Sequence, residues 1–348
     1  MLRTGGDGKF NILVFTDTHL HKEACPDMAA FLEEAMDFAK PDLVVFNGDN
    51  VAGSACENEQ TERAAIARLL DPAVRRGLPF AFVFGNHDQE YRPEGQDSRA
   101  ALMAMYREFP GCLAYDALGD GRSVFNLLVY SGIQAGRPAA NLWFFDSGRD
   151  GVHADQVDWY TARSAALERE NGGKAPALAF QHIVVPEIRA CCFQPPFGRG
   201  NLIPNLARFD GVMLEHPCPE QNHGQLEAWA ARGDIIAGVF GHDHANDFTA
   251  RVRGIDLVGC PSSTFRTDGA DVNRGATLFV WDENEPWRYR RQPISYRMLA
   301  RLPGSRLRAR SDDPRYYAFW ALYLLEKIVQ AALWPAKALV RAVRRLRA

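Results

Sequence analysis

The chain has 348 residues, enough for one large α/β domain or two ordinary ones with a substantial core. A formal net charge of −3 excludes a dedicated nucleic-acid binder with a basic face, though not a nucleotide substrate whose charge is met locally by metal ions. No run of about 18 apolar residues occurs, the amino terminus reads as lacking a leader pattern, and the seven cysteines are odd in number without C-x-x-C spacing. These features predict a cytoplasmic protein without a membrane span or a disulfide framework.

Short apolar runs alternate with helical patterns, which predicts α/β layering. The first run, 10–15, leads into Thr16-Asp17-Thr18-His19. A helical pattern over 27–39 stops before Pro41, and the run 43–46 then delivers Asn47-Gly48-Asp49-Asn50. Helical spacing over 61–76 closes at Gly77, and the run 80–84 opens onto Gly85-Asn86-His87-Asp88. A helix over 98–108, a run at 142–145 and a helix over 155–170 follow. The run 177–180 leads to Gln181-His182. After a short helix over 225–232, the run 235–240 leads to Gly241-His242-Asp243-His244. Runs at 256–259 and 276–281 read as strands of a second sheet. Residues 1–300 are assigned to one domain, and 301–348 to a basic linker and an amphipathic C-terminal helical tail that ends in clustered arginines.

Five apolar runs thus end in Asp, Asn and His, and never in Cys. In open α/β sheets, sites gather beyond the carboxyl ends of the strands. If the five strands share a sheet, their terminal side chains converge on one crevice. Asp17 and His19, two apart, point the same way if the strand persists to that point, and His242 and His244 repeat the spacing. Hard oxygen and borderline nitrogen donors favour Mn, Fe or Zn, and seven of them exceed the needs of a single four-coordinate zinc. Two neighbouring divalent or mixed-valence ions are the economical reading. Gly48, Gly85 and Gly241 let the backbone turn sharply off the strand ends. G-N-H-D and G-H-D-H are four-residue strings, each in a strand-end context, so chance is a poor explanation of the set.

In these blocks (D-x-H, G-D, G-N-H-D, a lone His and G-H-x-H) the sequence resembles the calcineurin-like metallophosphoesterases, over roughly residues 9–292. Phe145-Asp146-Ser147-Gly148, the segment from Gln181 to Glu187, the segment from Gly241 to Asp247, and Arg274-Gly275-Ala276 resemble most the branch called purple acid phosphatase 29-like or Dcr2-like. The resemblance implies two mixed β-sheets packed as a sandwich and flanked by helices. It also implies that Asp17, His19 and His244 hold one ion, that Asn86, His182 and His242 hold the other, and that Asp49 bridges them. His87 would serve as general acid or phosphate contact. True purple acid phosphatases carry a tyrosinate ligand three residues after the G-D aspartate; Ala52 stands there, so no tyrosinate–iron colour is expected.

The implied reaction is hydrolysis of phosphate monoesters by metal-activated hydroxide, with a phosphodiesterase or a non-catalytic metal-bound scaffold as alternatives. The expected partner is a phosphorylated small-molecule or nucleotide substrate. Asp88 and Asp243 read as groups that orient neighbouring ligands. Arg199, His216 and His223 are candidates for the substrate rim, since loops carry specificity. The tail over 314–348 reads as a helix packing on the domain or on a second subunit, with peripheral attachment to an anionic membrane surface as the alternative.

Overall fold

This computed structural model describes residues 1–90, 92, 96–193, 203–204, 209–213, 215, 221–267 and 274–308. Arg199, His216 and the tail over 314–348 lie outside the described residues. In chain order the elements are β1 (Leu2–Arg3), β2 (Lys9–Phe15), α1 (Pro26–Ala39), β3 (Leu43–Asn47), α2 (Glu59–Arg75), β4 (Phe80–Val83), α3 (Gln96–Arg107), β5 (Phe125–Tyr130) and β6 (Pro138–Phe144). They continue as α4 (Ala154–Glu170), β7 (Ala177–Phe180), β8 (Cys192–Phe193), β9 (Ile203–Pro204), β10 (Phe209–Val212), α5 (Gln225–Arg232), β11 (Ile235–Phe240), β12 (Asp247–Val252), β13 (Ile255–Gly259), β14 (Gly275–Asp282), β15 (Tyr289–Ser295) and α6 (Tyr296–Leu299).

Local chemistry explains where the helices sit. Pro26 opens α1, where its fixed φ suits the first turn and its missing N–H would be unpaired anyway; Lys40 ends it in the left-handed region at φ 46°. Helix α2 starts two residues earlier than its apolar spacing predicts. The Asn58 side chain accepts the Thr61 amide at 3.0 Å, while the Thr61 hydroxyl accepts the Asn58 amide at 3.1 Å, a reciprocal cap.

Among the described residues the strands form two mixed sheets and one two-stranded antiparallel ribbon, β8-β9. One mixed sheet has the order β15-β14-β2-β3-β4, the other β1-β5-β6-β7-β11-β13-β12-β10. Strands β2, β3 and β4 are parallel, joined by α1 and α2, as parallel pairing requires of its connections. Strands β6, β7, β11 and β13 form the parallel centre of the larger sheet. The strand period of two splits β6 between two cores. Leu142 and Phe144 join the core that also takes Phe15, Phe46 and Phe82 of the smaller sheet, whereas Trp143 joins Tyr160 and Trp229 under α4 and α5. Phe144 stacks on Phe125 and Phe180 at 4.4 and 5.1 Å. The molecule is therefore a sandwich with helices outside, as the resemblance implies.

Two expectations are corrected. Residues 256–259 and 276–281 do not belong to one sheet: β13 lies beside β11, and β14 lies antiparallel to β2. Nor do the five ligand-bearing strands share a sheet. β2, β3 and β4 stand in the smaller one, β7 and β11 in the larger, so the crevice opens where the carboxyl ends of two sheets meet.

Candidate metal centre

The seam between the sheets is tied at Asn47. Its side-chain amide donates to the Gln181 carbonyl at 3.0 Å and to the Val239 carbonyl at 3.2 Å, joining β3 to the ends of β7 and β11. The Ser263 amide donates to the Thr16 carbonyl at 2.8 Å and closes the same edge from the other side. Beyond the strand ends the chains keep their pairing: Asp17 N–H reaches Gly48 O, His19 N–H reaches Asp49 O, and Gly241 N–H reaches His182 O, each at 2.9 Å.

Strand alternation does not align Asp17 with His19. β2 ends at Phe15, and both residues adopt left-handed backbone, φ 52° and 43°. Asp49 at 49° and His242 at 73° do the same. Tight left-handed kinks, rather than a continuing strand, aim these side chains at one another. The glycines make room for the kinks. A Cβ on Gly48 would meet His182 Nδ1 at 2.4 Å, one on Gly85 would meet Asp49 Oδ1 at 2.2 Å, and one on Gly241 would meet Thr16 Oγ1 at 1.8 Å.

Two groups of ligand-type side chains result: Asp17, His19 and His244, and Asp49, His182 and His242. Asp49 reaches toward both, its Oδ2 lying 3.1 Å from His182 Nε2 and 3.6 Å from His19 Nε2. Asp17 Oδ1 lies 3.4 Å from His244 Nε2 and 3.6 Å from His182 Nε2. Asp17, His19, Asp49 and His182 are buried. His87 is about half exposed at 43%, with Nε2 4.0 Å from Asp49 Oδ2 and its ring 5.4 Å from that of His19. All seven candidate ligands and His87 come from the strand ends read in the sequence.

These residues fit a pair of cations. Asn86 Oδ1 is a buried acceptor without a donor. The Nε2 atoms of His19 and His244 face each other at 3.2 Å, an arrangement that two lone pairs or two protons could not keep unless a cation or a shared proton stood between them. His182 donates Nδ1–H to the Asn47 carbonyl at 3.0 Å, which leaves Nε2 free to ligate. Burial disfavours a charged His182, but Asp49 and Asp17 override it and push the imidazole up to about 10, so this position calls for a positive charge. Burial would raise Asp17, yet His182 and His244 bring it down to about 2, and Asp49 lies below the carboxylate range for the same kind of reason. Burial holds His19 and His242 at about 4, leaving both neutral and able to bind metal near pH 7.

Around the candidate ligands stand residues read from the sequence, Asp88, Asp243 and His223, and others that it leaves without a role, Thr16 and Glu90. Thr16 Oγ1 donates to Asp17 Oδ2 at 2.7 Å, and the His242 amide donates to the same oxygen at 3.0 Å. Asp88 is buried and accepts the amides of Asn50, Val51 and Gly85 at 2.9, 3.0 and 2.7 Å, so it fixes the backbone beside Asp49 rather than an imidazole. Burial and the Asp49 charge push it up to about 7. Asp243 is driven to about 7 by burial and by Glu215, and its carbonyl accepts the Asn246 amide at 3.0 Å. His223 stacks on His153 at 5.4 Å and contacts Gln221 at 3.0 Å, on the loop held by Asp150, and belongs to neither ligand group. Glu90 contacts His87 Nδ1 at 2.7 Å; its place three residues after His87 in a turn was the available signal.

The family model for calcineurin-like phosphoesterases matches residues 10–246. The chain is 30% identical over 301 residues to the Arabidopsis thaliana protein named probable inactive purple acid phosphatase 14, across 74% of this chain and 71% of that one. It is 28% identical over 328 residues to probable inactive purple acid phosphatase 29 of the same plant, across 82% and 79%. To phosphatase DCR2 of Saccharomyces cerevisiae it is 26% identical over 282 residues, 72% of this chain and 46% of that one. A solved dimetal phosphatase from Danio rerio shares the fold with a TM-score of 0.51 at 14% identity, across 82% of this chain and 99% of that one. The match begins within β2 and runs past the last candidate ligand, His244; the chain belongs to the calcineurin-like phosphoesterase family, in the branch of the purple acid phosphatase-like proteins and Dcr2.

Proposed function

We propose that the chain hydrolyses phosphate monoesters at a dinuclear metal centre. Asp17, His19 and His244 hold one cation, Asn86, His182 and His242 hold the other, and Asp49 serves both. The observation that carries this reading is the convergence of two three-residue ligand groups at one seam, with Asp49 within 3.6 Å of an imidazole from each. When bound, such a pair supplies positive charge that lowers the pKa of water and neutralises the phosphate oxygens. The protein's own part is to bind, orient and move a proton. Left-handed loops fix the ligands before substrate arrives, and His87, at the open side of the seam, hands a proton to the leaving oxygen.

Three relatives from Arabidopsis thaliana carry the word inactive in their names, and the Saccharomyces cerevisiae relative is named a phosphatase. The filled ligand set and the presence of His87 favour activity here. A screen of p-nitrophenyl phosphate against bis-p-nitrophenyl phosphate, with Mn, Fe, Zn and Mg in turn, tests the reading. Turnover of the monoester with at least one metal is expected. Preference for the diester would replace the substrate class. Bound metal without turnover of either would leave a scaffold.

A further inference from the structure

Glu90 has no place among the metal ligands, yet the structure holds its carboxylate firmly against the site. Its Oε1 lies 2.7 Å from His87 Nδ1, and its Oε2 accepts the Ser54 amide at 3.3 Å. The side chain is 21% exposed, half the figure for His87. The backbone beneath is equally fixed. The amides of Gly53 and Glu90 both donate to the His87 carbonyl, at 3.1 and 3.3 Å, and the His87 amide donates to Asp49 Oδ1 at 2.8 Å. A Cβ on Gly53 would meet the His87 carbonyl at 2.4 Å and the Glu90 nitrogen at 2.7 Å, so the segment after Asp49 is pressed onto the 87–90 turn.

His87 is thereby gripped at its amide, its carbonyl and one ring nitrogen, which leaves Nε2 turned toward Asp49 at 4.0 Å. An imidazole with 43% of its side chain exposed has few packing contacts to choose its rotamer, so a hydrogen bond can choose it instead. We infer that Glu90 is a positioning residue, setting the tautomer and ring plane of His87 so that Nε2 delivers its proton to the leaving group. This rests on the proposed hydrolase reading and deepens it. As the oxygen of water bonds to phosphorus and the ester P–O bond breaks, the electron pair of that bond stays on the leaving oxygen, which takes a proton from Nε2 of the doubly protonated His87 ring; the neutral imidazole left behind keeps its proton on Nδ1, bonded to Glu90. The Ser54 amide in turn keeps the carboxylate from rotating away.

Leaving-group dependence tests the inference, because a leaving group that departs unaided has little use for a proton donor. Turnover would be compared on phenyl phosphate and p-nitrophenyl phosphate for Glu90→Ala, Glu90→Gln, His87→Ala and the double variant His87→Ala/Glu90→Ala, with bound metal quantified in each. Glu90→Ala should lower kcat on phenyl phosphate about 10–100-fold, with a much smaller loss on p-nitrophenyl phosphate and unchanged metal content. Glu90→Gln should recover most of the loss, since its amide oxygen still accepts Nδ1–H. The double variant should be no slower than His87→Ala. A further tenfold loss in the double variant, equal loss on both esters, or loss of metal would make Glu90 a structural loop residue and overturn the inference.

A second readout is independent of turnover. Nitrogen NMR of the zinc-loaded protein, at a pH where the His87 ring is neutral, should find its one proton on Nδ1, and Glu90→Ala should move it toward Nε2; an unmoved tautomer also overturns the inference. Should the wild type hydrolyse neither ester while the tautomer shifts, the hydrolase reading fails and the positioning role stands.

Discussion

Among the described residues, six that are not glycine have positive φ, and four of them, Asp17, His19, Asp49 and His242, are candidate ligands. Each such conformation costs on the order of 1–2 kcal/mol, which the surrounding hydrogen bonds must offset. Asn86, His182 and His244 lie outside the strained set, as His87 does, so the division of roles must be read from metal content rather than from backbone conformation. Asp49→Ala should lose bound metal, because it removes the carboxylate that faces imidazoles of both groups. His87→Ala should keep its metal and lose about 10²–10⁴-fold in turnover on a poor leaving group. Metal analysis beside steady-state kinetics checks this; equal metal loss in both variants contradicts the division of roles. The candidate ligands are legible in the sequence because each lies in a short string at the end of an apolar run. Thr16 and Asn47 are not, because their roles depend on which neighbour the folded backbone brings near, and Glu90 offers only its place three residues after His87. Asn47 ties two sheets through carbonyls 134 and 192 positions away, a relation that no local pattern encodes.

The turns at the strand ends explain why the elements were easier to read than their assembly. Core strands such as β3, buried along its whole length, declare themselves as apolar runs. Sheet membership does not, because β14 pairs with β2 from the far end of the chain and nothing in either strand names its partner. What the strand exits do require is glycine, and for a reason that can be tested apart from φ. Gly85 is not in the left-handed region, yet an added Cβ would lie 2.4 Å from the Asp49 nitrogen and 2.2 Å from its Oδ1. Gly173, after α4, has nothing within 4 Å and no positive φ. Gly85→Ala should therefore cost about 1–3 kcal/mol through overpacking and weaken metal binding by displacing Asp49. Gly173→Ala should be neutral or stabilise by up to about 1 kcal/mol by restricting the unfolded chain. Urea denaturation with parallel metal titration reads both. Similar effects at the two sites would mean that close approach at Gly85 is not what the strand exit needs.

Across the whole molecule, each candidate ion would draw on both layers of the sandwich. Asp17 and His19 follow β2 of the smaller sheet, while their companion His244 follows β11 of the larger. Asp49 and Asn86 follow β3 and β4, while His182 and His242 follow β7 and β11. Bound cations would thus cross-link two sheets that otherwise meet at this edge through bonds such as those of Asn47 and Ser263. Without them, among the described residues it is imidazole protons that supply compensating charge to the buried carboxylates of Asp17 and Asp49. Loading must then stabilise the folded chain: a ligand at 100 times its dissociation constant adds about 2.7 kcal/mol per site. Chelation should lower Tm by several degrees, and restoring the metal should reverse the shift. Asp49→Ala should melt at the same temperature with and without chelator, because the cross-link is already gone. Cooperativity should persist in both states, since the apolar core of the sandwich contains none of the ligands. Calorimetry decides the matter. If chelator leaves the wild-type melting temperature unchanged after metal is shown to have left, the ions do not join the two sheets, and the seam owes its stability to the protein alone.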